Sequence, residues 1–279
     1  MLFINFHERR KNVKRIAALN DLSGFGKCSL AVALPIISAC GVECTPMPTS
    51  ILTRQTAFES SVCFDMTENM NSFLKDWENE KFDGIYTGFF SDSNQIKVAF
   101  DFISGHSEAS CVLVDPILGD DGETYSIFSN EIFEGVKALT KTATVITPNL
   151  TELGLLTDTD YNSLLSYSYD EIYKLALSLM ENKTKYVLIT GIHKNQKICN
   201  LVCDKNGYRL VSSKYHHGSF SGTGDIFASV CAAEIVKGKS VLSAVKTAVK
   251  IINKSINTTI KSGTDSRYGV QFEKYLKLL

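Results

Sequence analysis

Long apolar runs are missing from this sequence. No stretch approaches the roughly twenty apolar residues that a membrane helix requires. An excess of charge is missing as well. The chain has 29 Lys and Arg against 30 Asp and Glu, a formal net charge of −1. That argues against a broad basic face, so neither nucleic acid nor membrane is expected as a partner. The eight cysteines include no C-x-x-C pair. Cys199 and Cys203 stand four apart, but His193 and His216 do not complete a zinc spacing. The cysteines therefore read as reduced, mostly buried thiols of a cytoplasmic protein. Repeats, low-complexity tracts and linkers are also absent, so residues 1–279 read as one domain. Residues 1–14 read as an extension. In it a short apolar start precedes His7-Glu8-Arg9-Arg10-Lys11, the reverse of a secretory signal.

What is present is an alternation of short apolar strands with helical stretches. Strands are expected at Arg15–Leu19, Phe82–Phe89, Cys111–Pro116, Ala143–Thr147 and Tyr186–Gly191. Helices are expected at Ser29–Cys40, Met66–Asn79, Gln95–Ser104, Ser129–Leu139 and Tyr169–Glu181, from Ile226, over Ser240–Ile260, and from Gly269 to the end. Such alternation implies a parallel sheet with helices on both faces. Val42–Leu52 carries Pro46 and Pro48 and is at best an irregular or edge strand. Asp204-Lys205-Asn206-Gly207 turns a hairpin. Asn20–Ser29 and Ile117–Gly122 read as loops at strand carboxyl ends, where open parallel sheets bind ligands.

The most telling stretch is Ser219 to Ser229. Gly222, Thr223 and Gly224 stand directly before an apolar helix, and helix N-termini with unpaired N–H groups bind anions. Asp225 beside such a site is an acid suited to taking a proton from an attacking hydroxyl during phosphoryl transfer. The competing reading makes Asp225 a helix cap or dipole partner. A P-loop at Gly26-Lys27 fails: Asp21 stands where its first glycine belongs, and Cys28 where Ser or Thr is required. The acids Asp115, Asp120, Asp121 and Glu123 follow one strand and suit a cation or polar ligand. A solvated loop is the alternative for Asp121 and Glu123.

Taken in order, these motifs resemble the ribokinase-like superfamily, and within it the pyridoxal kinases, from about Arg15 to Ile260. The resemblance rests on Asn20–Gly26, Thr53-Arg54-Gln55-Thr56, Thr87-Gly88-Phe89, Val114–Asp120, Thr147–Glu152 and Gly222–Asp225. It implies a three-layer αβα sandwich with a mostly parallel central sheet, a homodimer, and ATP-dependent phosphorylation of the 5′-hydroxymethyl group of a B6 vitamer. Asp225 matches the catalytic base, and Gly222, Thr223 and Gly224 the anion hole. Asp115, Tyr125, Asn149, Glu152, Thr190 and Gly191 match positions on the ATP side. Asp115, Asp120, Thr147 and Glu152 match those around Mg2+ and a monovalent cation such as K+. A capping contact is the alternative for Glu152. Asp21, Ser23, Thr56, Phe89 and Asp225 match the acceptor side, with core packing the alternative for Phe89. The glycine-rich first loop leans toward the hydroxymethylpyrimidine kinases of thiamine synthesis. Some of those carry a cysteine before the glycines that adds to the substrate aldehyde. Ser221 stands there and excludes that adduct. A non-catalytic pyridoxal phosphate binder is the third reading.

Overall fold

The computed structural model describes residues 13–125, 129–181 and 183–279. Residues 1–12, most of the expected extension, lie outside them. Strand β1 (Arg15–Ser23) leads to helix α1 (Ser29–Ala39), β2 (Glu43–Leu52) and β3 (Cys63–Asp65). Helix α2 (Thr67–Asp76), β4 (Gly84–Thr87), α3 (Ser93–Gly105) and β5 (Cys111–Val114) follow. A small ribbon of β6 (Gly119–Asp120) and β7 (Glu123–Thr124) precedes α4 (Asn130–Thr140), β8 (Val145–Ile146), α5 (Leu150–Thr157), α6 (Tyr161–Leu164) and α7 (Tyr169–Ser178). Then come β9 (Tyr186–Lys194), β10 (Lys197–Asp204), β11 (Gly207–Lys214), α8 (Thr223–Val236) and α9 (Val241–Lys261).

Nine strands form one sheet in the order β11-β10-β9-β8-β5-β4-β1-β2-β3. The six from β9 to β2 run parallel; β10 and β3 run against them, and β11 pairs antiparallel with β10. Side chains alternate across each strand, which builds two cores. Ile16 and Ala18 of β1, with Cys111 and Leu113 of β5, pack under α1, α8 and α9. Ala17 and Leu19, with Val112 and Val114, pack under α2, α3, α4, α5 and α7. The layering is the three-layer αβα sandwich expected from the alternation. The chain leaves β1 for β2 on one side and returns to β4 on the other. The carboxyl ends of β1 and β4 therefore flank a topological switch point, where such sheets bind ligands.

Four expectations need correction, one of them in part. Asn20–Ser23 is not loop: β1 continues through it with a register shift between Asn20 and Leu22, so a longer strand carries the candidate residues Asp21 and Ser23. β2 is a ten-residue strand paired on both sides, so not an edge, but it is irregular as expected: between Pro48 and Ile51 it carries one residue more than β1. Glu43 N–H donates to Lys14 across the β1 side. By the two-residue period Pro46 and Pro48 face the open side, where their missing N–H groups cost nothing. Residues 117–124 form a ribbon turned at Asp121 (φ 48°) and Gly122 (φ 86°), the positive φ pair a tight hairpin needs. The tail is not a helix from Gly269. It makes two 3-10 turns, Ser266–Tyr268 and Glu273–Leu278. Val270 and Phe272 between them are both buried, an extended rather than helical spacing. The Asn206-Gly207 hairpin forms as expected.

Helix α8 is apolar all round, because it is wedged between the sheet and its neighbours α1 and α9. It comes closest at Gly84. A Cβ there would lie 2.6 Å from Val236 Cγ2 and 3.2 Å from Cys111 O and Ile16 Cγ1. We expect Gly84→Ala to cost about 1–3 kcal/mol in urea denaturation through overpacking. Part of that loss should return in the Gly84→Ala/Val236→Ala double variant, and additive losses would contradict the packing account.

Candidate active site

The site lies along the carboxyl edge of the sheet, and most of its side chains come from strand ends. At the end of β1, Asn20 and Asp21 are 0% and 6% exposed. The Asn20 Oδ1 accepts N–H bonds from Asp21 (3.0 Å) and from Phe89 beyond β4 (2.8 Å). Gly88 lies so tightly on the Asn20 amide that no side chain fits there. One amide thus stitches the two sides of the switch point together. Ser23 Oγ donates to Asp21 Oδ2 at 3.2 Å, and the Ser29 hydroxyl is its other side-chain partner. Burial raises the Asp21 carboxyl above its ordinary range.

Helices α3, α4, α5, α7 and α9 begin at side-chain caps from Asp92, Ser129, Asn149, Ser168 and Ser240. Helices α1 and α8 do not: Cys28 and Gly222 stand at their starts with no capping bond. Their first amides are left for something else. Gly222 (φ 80°) is required twice over. Its φ favours glycine, and a Cβ would collide with the Lys27 carbonyl. On its other side Lys27 is met by Gly269 (φ 82°), and its Nζ pairs with Glu273 at 2.7 Å. The tail thereby braces the loop under the glycine turn.

Asp225 is not the cap. It is the third residue of α8 and 9% exposed. Its carboxylate receives the backbone N–H of Ser29 at the start of α1, with Asn20 and Tyr86 beside it. Two helix N-termini therefore point at one acid. Burial is still the largest effect and pushes the Asp225 carboxyl up to about 6, with Asp21 adding repulsion.

A second acidic group sits across β5 and β8. Thr147 Oγ1 donates to Asp115 Oδ1 at 2.8 Å. Asn149 and Glu152 form a capping box: Asn149 Oδ1 accepts from Glu152 N–H, and Glu152 Oε2 from Asn149 N–H, each at 2.9 Å. Glu152 Oε1 accepts from Leu118 N–H at 3.0 Å, and Asn149 Nδ2 donates to Gly119 O at 2.8 Å. The capping alternative for Glu152 is realised, and both side chains also hold the loop after β5. That loop contains Ile117 at φ 44°, a strained value for a β-branched residue. Burial holds Glu152 and Asp115 above the usual carboxylate range; the Asp115 charge raises Glu152 further, and the Asp225 charge raises Asp115. Asp120 is exposed in β6, and burial raises it in spite of that. Tyr125 faces Asp120, Glu152, Asp115 and Asp225. Thr190 pairs with Asn149 across β8 and β9, and Gly191 follows at φ 72°.

Among the described residues no three His, Cys, Asp or Glu side chains form a closed metal cluster. The donors that are present suit magnesium, which takes oxygen ligands and completes its shell with water and phosphate. No cationic side chain is among the groups that act on Asp115 or Glu152.

On the acceptor side Phe89 is half-buried and belongs to neither core, whereas its neighbour Phe90 is 2% exposed and does. Thr56 is exposed. The buried residue of that segment is Gln55, whose Nε2 donates to Arg267 O at 2.7 Å and lies 3.4 Å from Ser221 Oγ. Sequence reasoning assigned no role to Asn20, Ser29, Gln55 or Tyr86. The one available signal was that Asn20 and Gln55 lie inside the quoted motifs.

Residues 34–269 match the family model described as phosphomethylpyrimidine kinase. The chain belongs to that family. It is a kinase of the pyridoxal and phosphomethylpyrimidine kinase group. The thiamine biosynthetic bifunctional enzyme TH1 of Arabidopsis thaliana is 27% identical over 255 residues; the match covers 89% of this chain but 47% of TH1, about half its length. A provisionally assigned phosphomethylpyrimidine kinase of Bacteroides thetaiotaomicron, crystallised with pyridoxal, is 33% identical at a TM-score of 0.90, with 95% of each chain covered. Pyridoxal kinase of Lactobacillus plantarum is 25% identical at 0.88, with 96% of each covered. The ribokinase-like architecture is thus shared with these structures. No helix among the described residues is long and apolar enough to cross a membrane.

The raised Asp225 carboxyl carries a stability consequence. Between about pH 4 and pH 6 the folded chain binds its proton more tightly than the unfolded chain, so stability falls as pH rises through that window. Asp225→Asn does not titrate. We expect its Tm to match the wild type below pH 4 and to exceed it above pH 6 by about 3 °C or more. A gain that is independent of pH would contradict the assignment.

Proposed function

We propose that this protein is an ATP-dependent kinase of vitamin B6 vitamers, acting on the 5′-hydroxymethyl group of pyridoxal, pyridoxamine or pyridoxine in B6 salvage. The observation that carries the reading is Asp225: a buried acid at the uncapped start of α8, one turn into a helix whose glycine start is open to an anion.

The substrate hydroxyl oxygen bonds to the γ-phosphorus of ATP, the bond from phosphorus to the β–γ bridging oxygen breaks, and ADP leaves. The hydroxyl proton passes to Asp225. A base near 6 suits work at neutral pH, being ionised yet basic enough to take a proton. The amides of Gly222, Thr223 and Gly224 meet the charge on the transferring group; one such donor is worth about 3 kcal/mol. Asp115, Asp120 and Glu152, with Thr147 alongside, would hold magnesium against the ATP phosphates, where it supplies charge neutralisation. Asn149, Thr190, Gly191 and Tyr125 border the nucleotide. Asp21, Ser23, Thr56 and Phe89 border the acceptor ring, where an aromatic face suits a flat heterocycle. The active unit is a homodimer, which sedimentation tests.

The relative crystallised with pyridoxal supports the B6 reading. The second reading is a hydroxymethylpyrimidine (phosphate) kinase of thiamine synthesis, which the family's name favours. A non-catalytic pyridoxal phosphate binder is disfavoured by Asp225 itself, since a binder has no need of a buried base there.

Coupled ADP release with pyridoxal, pyridoxamine, pyridoxine and hydroxymethylpyrimidine side by side separates these readings. Turnover confined to the pyridines is expected; turnover on the pyrimidine alone would transfer the protein to the second reading. Asp225→Ala should lower kcat by about a thousandfold or more while ATP affinity stays within about threefold. Asp21→Asn should shift preference away from the cationic vitamer pyridoxamine. Equal relative rates before and after would remove Asp21 from vitamer choice.

A further inference from the structure

Five buried side-chain polar atoms among the described residues have no hydrogen-bond partner. Two of them, Asn20 Nδ2 and Tyr86 Oη, lie on one face of β1 and β4, the two strands of the switch point; Thr87 Oγ1 faces the other side of the sheet. Buried unpaired donors are costly, by about 1–3 kcal/mol each, so a pair beside a site needs a reason. Geometry supplies one. The orientation of the Asn20 amide is fixed, because Oδ1 already accepts the N–H groups of Asp21 and Phe89. Its Nδ2 must then point the other way, against Gly88 and toward Asp225. Tyr86 is 0% exposed in the core beneath α8, and its hydroxyl acts on Asp225 as well. Neither donor meets a hydrogen-bond partner within the chain's described residues.

We propose that Asn20 and Tyr86 are positioning residues for Asp225: two donors held ready beneath the carboxylate to fix its direction toward the acceptor hydroxyl. The proposal rests on reading Asp225 as the base. The groups that face this carboxylate are Asp21 on β1, Cys28 and Ser29 at the start of α1, Tyr86 on β4, Asp115 after β5, and Tyr125. None is cationic. Among the described residues, the groups that favour the ionised form are the Ser29 N–H, Asn20 and Tyr86. The strand register explains the pairing. Ala18 lies opposite Tyr86 and Leu19 opposite Thr87, which brings the Asn20 side chain over Gly88, two residues past Tyr86. A carboxylate that turns toward these two donors keeps its other oxygen free for the substrate.

The test uses Tyr86→Phe and Asn20→Asp in the full chain, with whichever acceptor the wild type phosphorylates. Tyr86→Phe removes only the hydroxyl. Asn20→Asp keeps the acceptor for Asp21 and Phe89 and removes the donor. Each should lower kcat about tenfold or more while KM for ATP and acceptor stays within about twofold. The acid limb of kcat/KM should move to higher pH, by about one unit in Tyr86→Phe and further in Asn20→Asp, since removing donors disfavours the ionised base. Tyr86→Phe should be at least as stable as the wild type to heat, because it deletes an unpaired buried hydroxyl. A merely structural role would give the opposite: lost stability with an unmoved pH profile. That result, or an unchanged kcat and acid limb in both variants of an active enzyme, overturns the proposal. A wild type inactive on every acceptor would overturn the kinase reading beneath it, a separate failure that the variants are not needed to detect.

Discussion

The desolvation of one carboxylate governs this site. Asp225 is buried with no cationic side chain against it, and two helix starts are turned toward it in place of one. Amides at α1 and α8 are fixed dipoles: they favour an anion without supplying a full positive charge that would quench a base. The compromise requires both helices to begin at the same point in space. That in turn requires the Lys27 backbone to pass between Gly222 and Gly269 at distances only glycine allows. The C-terminal tail is therefore part of the active-site frame, although its residues carry no chemistry.

The acids across β5 and β8 follow a different logic. Asp225 raises Asp115, Asp115 raises Glu152, and no lysine or arginine among the described residues offsets them. Close burial of these acids is unfavourable, and it is eased by the Thr147 hydroxyl and by the Leu118 and Asn149 amides. A divalent cation with phosphate would relieve it. Glu152 shows that structural and chemical duty need not compete. Its capping bonds fix a carboxylate at the floor of the site and leave each oxygen a further lone pair.

The switch point ties the two regions together. Asn20 bonds across from β1 to the loop after β4, and Thr49 Oγ1 on β2 donates to the Phe89 carbonyl at 2.8 Å. The Phe89 backbone is thus fixed from two strands, and its half-buried ring belongs to neither core. Gln55 does the same for the segment above, tying it to Ser221 and Arg267.

Much of this was legible in the chain alone. Strand alternation, the Asn206-Gly207 turn and the capping contact of Glu152 act over two to four neighbours, so their spacing in sequence is their spacing in space. The glycine turn before α8 and the acid within it were visible for the same reason. Other features were settled by contacts between residues far apart. Asp225 as a buried acid rather than a cap depends on Ser29, nearly two hundred residues away. Gln55 rather than Thr56 as the buried member of its segment depends on Ser221 and Arg267. The extended tail depends on Lys27. Local sequence determines which backbone groups are left unpaired; only the packing of sheet, helices and tail decides which side chains are brought to meet them.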